Sequence, residues 1–122
     1  MTHMTFDYDD QNIFAKILRG EIPNQTVYES DHALAFKDIN PQAAHHVLVI
    51  PKGPYMSLDH FAIEASPEEQ AGFMAAVGEV CKLLELDSGF RAICNTRNHG
   101  VQEVPHFHMH IVGGEQLGRM LP

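Results

Sequence analysis

The sequence predicts a small α+β fold, in which a mostly antiparallel sheet of about five strands carries one long and one short helix. The chain has 122 residues, which suits one compact domain. Its β-prone runs are short and closely spaced, as in sheets whose neighbouring strands run antiparallel. One amphipathic run is long enough to cover such a sheet as a helix. We therefore expect a flexible N-terminal segment over residues 1–10 and a single domain over residues 11–122.

A short helix and two short strands are predicted at the start of this domain. Apolar residues recur at helical spacing between residues 11 and 19, and Gly20 stands where a helix commonly ends. Residues 27–29 and 33–38 each have the composition of a short strand, and Asp38 closes the second one. The turn signal that follows Asp38 separates these elements from the next strand.

Residues 45–51 are the most β-prone run in the chain and predict a central strand. Successive side chains on a strand point to opposite faces, so His46 shares a face with Leu48 and Ile50, whereas His45 faces the other way. One of these two histidines can therefore point towards a site formed by other histidines.

The long helix has several agreeing start signals. Ser66 is a favourable N-cap, Pro67 fits the first helical position, and Glu69 completes a capping box. The apolar stripe then predicts a helix that runs to about residue 86. A fourth strand is predicted over residues 90–95, followed by a polar loop.

The residues with the clearest chemical potential lie on the predicted last strand, over residues 104–114. Three histidines occur at every second position, His106, His108 and His110, with apolar residues between them. This alternation predicts a half-buried strand whose three imidazoles line one face while the apolar residues face a core. Imidazoles can act as nucleophiles, as acids and bases, or as metal ligands.

The spacing alone leaves a nucleophile and a metal site as alternatives. Along an extended strand His106 and His110 lie roughly 13–14 Å apart, so one ion cannot easily bind all three histidines. Two of them together with His46 could still form a three-ligand zinc site.

Composition excludes several function classes. The net charge of −8 argues against a general nucleic-acid binder and against a protein that binds anionic membrane surfaces. No run approaches the roughly 20 apolar residues of a membrane span. Cys81 and Cys94 fit neither a metal motif nor a disulfide framework, which favours free thiols in the cytoplasm.

Several blocks of the sequence resemble one family. Residues 106–112, His-Phe-His-Met-His-Ile-Val, resemble the signature of the histidine triad superfamily. Four further blocks are similar, in the same order, to the nucleotide-binding branch of that superfamily, and the ending, residues 113–121, looks like bacterial members of that branch. These blocks are residues 12–23, 36–44, 46–52 and 100–104.

The resemblance implies a single histidine-triad domain that pairs into a homodimer, and a purine nucleoside phosphoramidase activity. Adenosine or guanosine 5′-phosphoramidates would be hydrolysed to a nucleoside monophosphate and an amine, through a nucleotidyl-histidine intermediate and without a metal or other cofactor. His108 would be the nucleophile, flanked by His106 and His110, and His46 would be the fourth active-site histidine.

The resemblance also implies which residues bind the nucleotide. Asp38 would hold the ribose hydroxyls, apolar residues would surround the base, and a third group would lie near the phosphate. The residues around the base would be Ile13, Phe14, Ile17, Ile22, Phe36 and Ile39. The residues near the phosphate would be Asn95, Gln102, Glu103 and Val104. Val101 departs from the family pattern because a glycine is usual there; if that position has positive φ, a β-branched residue would strain the loop.

Three other functions stay open at this point. A zinc-dependent hydrolase would use the histidines as ligands. A dinucleoside polyphosphate hydrolase or a nucleotidyl transferase would use the same site on another substrate. A nucleotide-binding interaction module would bind without turnover.

Overall fold

The structure is a computed structural model that describes residues 5–122. These residues form three helices and five strands. In order, they are α1 (Ile13–Leu18), β1 (Thr26–Glu29), β2 (Ala33–Lys37), β3 (His45–Pro51), α2 (Leu58–Glu64), α3 (Pro67–Leu83), β4 (Phe90–Ile93) and β5 (Met109–Gly113). The strands form one sheet in the order β1-β2-β3-β5-β4, and every neighbouring pair is antiparallel. The predicted α+β fold with a five-stranded antiparallel sheet is confirmed.

The prediction of only two helices was wrong, because α2 lies between β3 and α3. Its N-cap is Ser57, whose side chain accepts a hydrogen bond from the backbone of His60. With seven residues, α2 is too short to show a clear apolar period in the sequence. The long helix begins as predicted, with Ser66 and Glu69 forming the capping box. It ends at Leu83, three residues earlier than predicted, and the chain then turns through Glu85, whose φ of 53° is left-handed.

The predicted histidine strand is also shorter than expected. Regular pairing with β3 covers Met109–Gly113, so His106 and His108 precede the strand. Pro105 has no N–H to donate to a ladder. The N–H of Phe107 donates to the carbonyl of Tyr55 instead, at 2.7 Å, which takes this segment away from the sheet. The chain nevertheless keeps its alternation, because Phe107 and the strand residue Ile111 share the same core cluster.

Apolar side chains fill both faces of the sheet. On one face, Phe107 and Ile111 pack with Val49, Phe73 and Val80, where α3 covers the sheet and α2 adds Phe61 to the same cluster. Burying one such side chain fully is worth about 1.5–3 kcal/mol, so this face supplies much of the stability. The smaller cluster on the opposite face contains residues of α1, β2 and β3. Its members are Phe14, Ile17, Leu34, Phe36, Leu48 and Ile50.

The N-terminal residues add no regular structure to the described part of the chain. Residues 1–4 lie outside the described residues, and residues 5–10 contain no helix or strand. The flexibility predicted for residues 1–10 stays a prediction. Among residues 5–122, no helix is both long enough and apolar enough to cross a membrane.

Candidate active site

A cleft on the α1 side of the sheet brings together three of the four predicted catalytic histidines. Its volume is ≈ 220 Å³. The lining residues come from α1, β3, β5 and the two loops that follow β2 and β4. They are Phe14, Asp38, Asn40, Gln42, His46, Leu48, Asn95, Val101, Glu103, Val104, His108 and His110.

One ring nitrogen of His108 is free in this cleft. Its Nδ1 lies 2.7 Å from the backbone carbonyl of His106, and a carbonyl can only accept, so Nδ1 carries the proton. Within residues 5–122 nothing hydrogen-bonds to Nε2, which therefore presents a lone pair. Burial lowers the pKa of His108, which favours this neutral form. The ring of Phe14 contacts the imidazole edge-on, with centroids 4.9 Å apart.

His106 supports the site from behind and does not line the cleft. It is fully buried, and its Nε2 donates to the carbonyl of Pro51 at 2.9 Å. Its Nδ1 accepts from the hydroxyl of Tyr8 at 2.6 Å. Burial lowers the pKa of His106 to about 4, so the ring is neutral and both nitrogens have partners.

His46 and His110 form a directed hydrogen-bond chain. The backbone N–H of Gln42 donates to His46 Nδ1 at 3.0 Å, so the ring proton of His46 is on Nε2. That proton is donated to His110 Nδ1 at 2.9 Å. The proton of neutral His110 is therefore on Nε2, and the pKa of His110 is lowered to about 4, mainly by burial. His110 lies beside His108, with ring centroids 5.1 Å apart.

Asp38 joins the cleft at the end of this chain. Its Oδ2 lies 3.4 Å from His46 Nε2, and its Oδ1 accepts from the backbone of Asn40 at 2.8 Å. A carboxylate oxygen of Asp38 and one ring nitrogen each of His46 and His110 all lie within 4.8 Å of one another. This geometry suits a small cation as well as hydroxyl groups. It contains one strand histidine, His110, where the zinc site considered from the sequence needed two: both ring nitrogens of His106 have partners, and His108 is not part of this group.

The loop between β4 and β5 is held by its own side chains and by α2. Gln102 Nε2 donates to the carbonyls of Met56 and Val104 at 2.6 and 2.9 Å. Arg97 forms a two-pronged ion pair with Asp59 at 2.6 and 3.2 Å, and this contact lowers the pKa of Asp59 to about 2. The Gln102 amide therefore ties the loop to itself and to Met56, and Gln102 does not line the cleft.

Val101 in the same loop has the backbone conformation that a glycine would favour. Its φ is 56°, and its side chain is 70% exposed at the rim of the cleft. A β-branched residue rarely adopts this left-handed conformation, so the loop carries local strain.

The apolar residues predicted around the base are spread over more than the cleft. Phe14 lines it, while Ile17 and Phe36 lie in the buried cluster behind it and Ile22 packs against that cluster. Ile13 and Ile39 are 43% and 98% exposed and do not line the cleft. Of the residues predicted to lie near the phosphate, Asn95, Glu103 and Val104 line the cleft.

Some residues of the site were missed from the sequence. Gln42 acts through its backbone N–H, which no side-chain pattern reveals. Tyr8 lies in a segment without periodicity. Asn40 and Leu48 line the cleft without a motif of their own, although the alternation along β3 does place Leu48 on the face of His46.

A second, wider cavity of ≈ 340 Å³ adjoins the cleft towards β4 and the C-terminal segment. His46, Asn95 and His110 border both spaces. The guanidinium of Arg91 also lines it and donates to the carbonyls of Gly118 and Arg119 at 2.7 and 3.3 Å. His110 therefore stands between two spaces that could take two parts of one substrate.

Comparison with known proteins gives consistent matches over nearly the whole chain. The HIT domain family matches residues 19–117. An uncharacterised 13.2 kDa HIT-like protein of Azospirillum brasilense is 50% identical over 119 residues, 97% of this chain and 98% of that protein. A purine nucleoside phosphoramidase of Escherichia coli is 42% identical over 116 residues, 92% of this chain and 94% of that enzyme. A HIT family hydrolase from Clostridium thermocellum superimposes with a TM-score of 0.83 at 32% identity, covering 93% of this chain and 98% of that one.

Proposed function

Because the chain belongs to the HIT domain family and holds a hydrolase-type histidine cluster, we propose that it is a purine nucleoside phosphoramidase. The single observation that carries the proposal is the free Nε2 of His108 in a cleft that is also lined by the carboxylate of Asp38, the amide of Asn95 and the ring of Phe14. The similarity to the E. coli phosphoramidase supports the P–N bond as the one that is cleaved. The resemblance to the histidine triad superfamily inferred from the sequence is confirmed by the HIT domain match.

The first chemical step is attack of His108 on phosphorus. The Nε2 lone pair forms the new N–P bond, while the proton stays on Nδ1 and remains hydrogen-bonded to the carbonyl of His106. The P–N bond to the leaving group breaks, and its electron pair leaves with the nitrogen. Since the tautomer is already set before substrate binds, no reorganisation of the nucleophile is needed.

His110 is placed to serve the leaving nitrogen. That nitrogen needs one proton, and His110, which borders both cavities and carries a proton on Nε2, would donate it. The negative charge of the bound substrate favours protonated His110, whose Nδ1 then also carries a proton and no longer accepts from His46. Water then attacks phosphorus, His110 recovers a proton from it, and His108 and the nucleoside monophosphate separate.

Other residues of the cleft would bind the ribose, the base and the phosphate separately. The Asp38 carboxylate would accept hydrogen bonds from the ribose hydroxyls, and Phe14 would contact the nucleoside through its apolar face. Asn95 would donate to the phosphate. The leaving amine would occupy the wider cavity beyond His110. Nothing in this route requires a metal or another cofactor.

We also propose that the protein acts as a homodimer in the cytoplasm. The edge strand β4 and the exposed side of α3 present Phe90, Met74 and Leu83, which are 44%, 61% and 55% exposed. An apolar edge of this kind favours pairing with a second copy.

The free thiols of Cys81 and Cys94 suit a reducing compartment. Sedimentation at micromolar concentration should give twice the 13.7 kDa chain mass, and a purely monomeric protein would contradict the dimer.

The experiment that tests the activity compares classes of substrate. Adenosine and guanosine 5′-phosphoramidates should be turned over more efficiently than dinucleoside polyphosphates, as measured by kcat/KM. A preference for polyphosphates, or nucleotidyl transfer to phosphate, would replace the phosphoramidase by another activity of the same site. Tight nucleoside monophosphate binding with no turnover of either class would leave an interaction module.

A further inference from the structure

We propose that Tyr8, from the segment before α1, is a positioning residue that holds His106 and, through it, the nucleophile His108. This inference rests on the proposed function. It assigns a catalytic consequence to a residue that does not line the cleft and lies 98 positions from its partner in the sequence.

Two sets of hydrogen bonds that meet at His106 carry the inference, one through its ring and one through its backbone carbonyl. Asn12 Nδ2 donates to the hydroxyl oxygen of Tyr8 at 3.0 Å, and that hydroxyl lies 2.6 Å from His106 Nδ1. His106 Nε2 donates to the carbonyl of Pro51, and the carbonyl of His106 accepts the Nδ1 proton of His108. Each link has one possible direction, because the amide at its start can only donate and the carbonyl at its end can only accept.

Among the described residues, Tyr8 is the only hydrogen-bond partner of His106 Nδ1. With its proton committed to Pro51, neutral His106 has an Nδ1 that can only accept, and the hydroxyl of Tyr8 is its donor. Burial raises the pKa of Tyr8, so the hydroxyl keeps its proton at neutral pH. Without that donor a fully buried nitrogen would have no partner, and the ring could relieve the loss only by turning away from Pro51.

A shift of His106 would reach His108 directly. The backbone carbonyl of His106 is the group that keeps the proton of His108 on Nδ1 and the lone pair on Nε2. A loosened His106 therefore lets the other tautomer of His108 form, in which the nitrogen facing the substrate is protonated and cannot attack.

The segment around Tyr8 is fixed to the domain at several points. Phe6 stacks on His60 of α2, with centroids 4.4 Å apart and planes at 9°. Asn12 Nδ2 also donates to the carbonyl of Asp9 at 2.8 Å, and Arg19 donates to the carbonyl of Asp10 at 2.8 Å. Asn12 at the same time caps α1, since its Oδ1 accepts from the backbone of Ala15. Contacts on both sides of Tyr8, at Phe6 and at Asn12, therefore fix the position of its hydroxyl beside His106.

Tyr8→Phe is the matched test, because it deletes the hydroxyl and keeps the ring that contacts His106 edge-on at 5.6 Å. With the substrate that the wild type turns over best, kcat should fall about tenfold or more, the scale set by one buried acceptor left without its donor. KM should stay within about twofold, since Tyr8 touches no part of the cleft. Tyr28→Phe, on β1 and away from the site, should leave both constants unchanged.

Imidazole ¹⁵N spectra separate a positioning role from a general loss of stability. In the wild type, His106 should show a protonated Nε2 and a hydrogen-bonded, unprotonated Nδ1. In Tyr8→Phe the Nδ1 signal should move, and His108 should show a mixture of tautomers. An unchanged kcat, or unchanged His106 and His108 signals, would overturn the proposal. If the wild type turns over no nucleotide, the proposed function fails, and the spectra alone decide the role of Tyr8.

Discussion

The Nδ1 proton of His108 is held 2.7 Å from the backbone carbonyl of His106, two residues earlier in the chain. This short contact leaves Nε2 of His108 as a lone pair in the cleft before any substrate arrives. The carbonyl carries no net charge, so it raises the pKa of the ring less than a carboxylate would, and burial still lowers that pKa overall. A nucleophile that stays neutral and correctly protonated is available across the physiological pH range.

Asp38 should recognise the ribose. Asp38→Ala should weaken binding of a purine nucleoside monophosphate by about 1–3 kcal/mol, because a charge-assisted hydrogen bond is lost. A 2′,3′-dideoxy analogue lacks the hydroxyls, so its affinity should change far less. Calorimetric titration of both ligands on both proteins measures the difference, and equal losses would remove Asp38 from ribose recognition.

Val101→Gly should raise the free energy of unfolding by about 1 kcal/mol. The substitution removes the strain of a β-branched residue at φ 56°, which outweighs the entropy that glycine adds to the unfolded chain. Glu103→Gly, in the same loop but without positive φ, is the control and should lower the stability. Urea unfolding compares the three proteins; a less stable Val101→Gly protein would show that the loop is unstrained.

Stability should fall as the pH drops from 6.5 towards 4. The pKa of His106 is about 4 in the folded protein, against about 6.5 in an unfolded chain, so only the unfolded state takes up this proton in that window. At pH 4.5 the loss from His106 is about 2–3 kcal/mol, and the lowered pKa of His110 acts in the same direction. Urea unfolding at pH 7.0, 5.5 and 4.5 measures it, with His106→Gln as the control that should show a smaller slope. A stability that is flat or rises towards pH 4.5 would contradict the burial of neutral His106.

Turnover should survive removal of metal ions. The proposed route uses the histidines as nucleophile and proton carrier, although Asp38, His46 and His110 lie close enough together to bind a cation. Dialysis against EDTA should leave kcat/KM within about twofold, and elemental analysis should find no stoichiometric zinc. Loss of activity that zinc alone restores would favour the metal-dependent hydrolase considered from the sequence.

Local sequence signals predicted much of the fold because they are strong where they occur. The capping box of Ser66 and Glu69 located the start of α3, and the apolar run of residues 45–51 located β3. The same signals failed for α2, which is only seven residues long, and for the start of β5. There the N–H of Phe107 pairs with Tyr55, a tertiary contact across 52 positions that no local pattern contains.

For the candidate site, the spacing of the histidines showed which residues to examine but not what each one does. Alternation predicted three imidazoles on one face of a strand, whereas the structure gives each a different set of partners. The difference comes from distant groups, because Pro51 and Tyr8 bind His106 while His46 binds His110. From the sequence, we expected strain at Val101 only if its φ were positive, and in the structure its φ is positive.

The measurement that tests the central claim most directly is to trap the covalent intermediate. Wild-type protein is mixed with a phosphoramidate labelled in the nucleotidyl group, quenched within a turnover, digested, and the modified residue is mapped by mass spectrometry. The label should be on His108, and His108→Ala should bind the nucleoside monophosphate normally but show no label and a turnover reduced by several orders of magnitude. A label on His106, His110 or His46, or rapid turnover by His108→Ala, would contradict the assignment of His108 as the nucleophile.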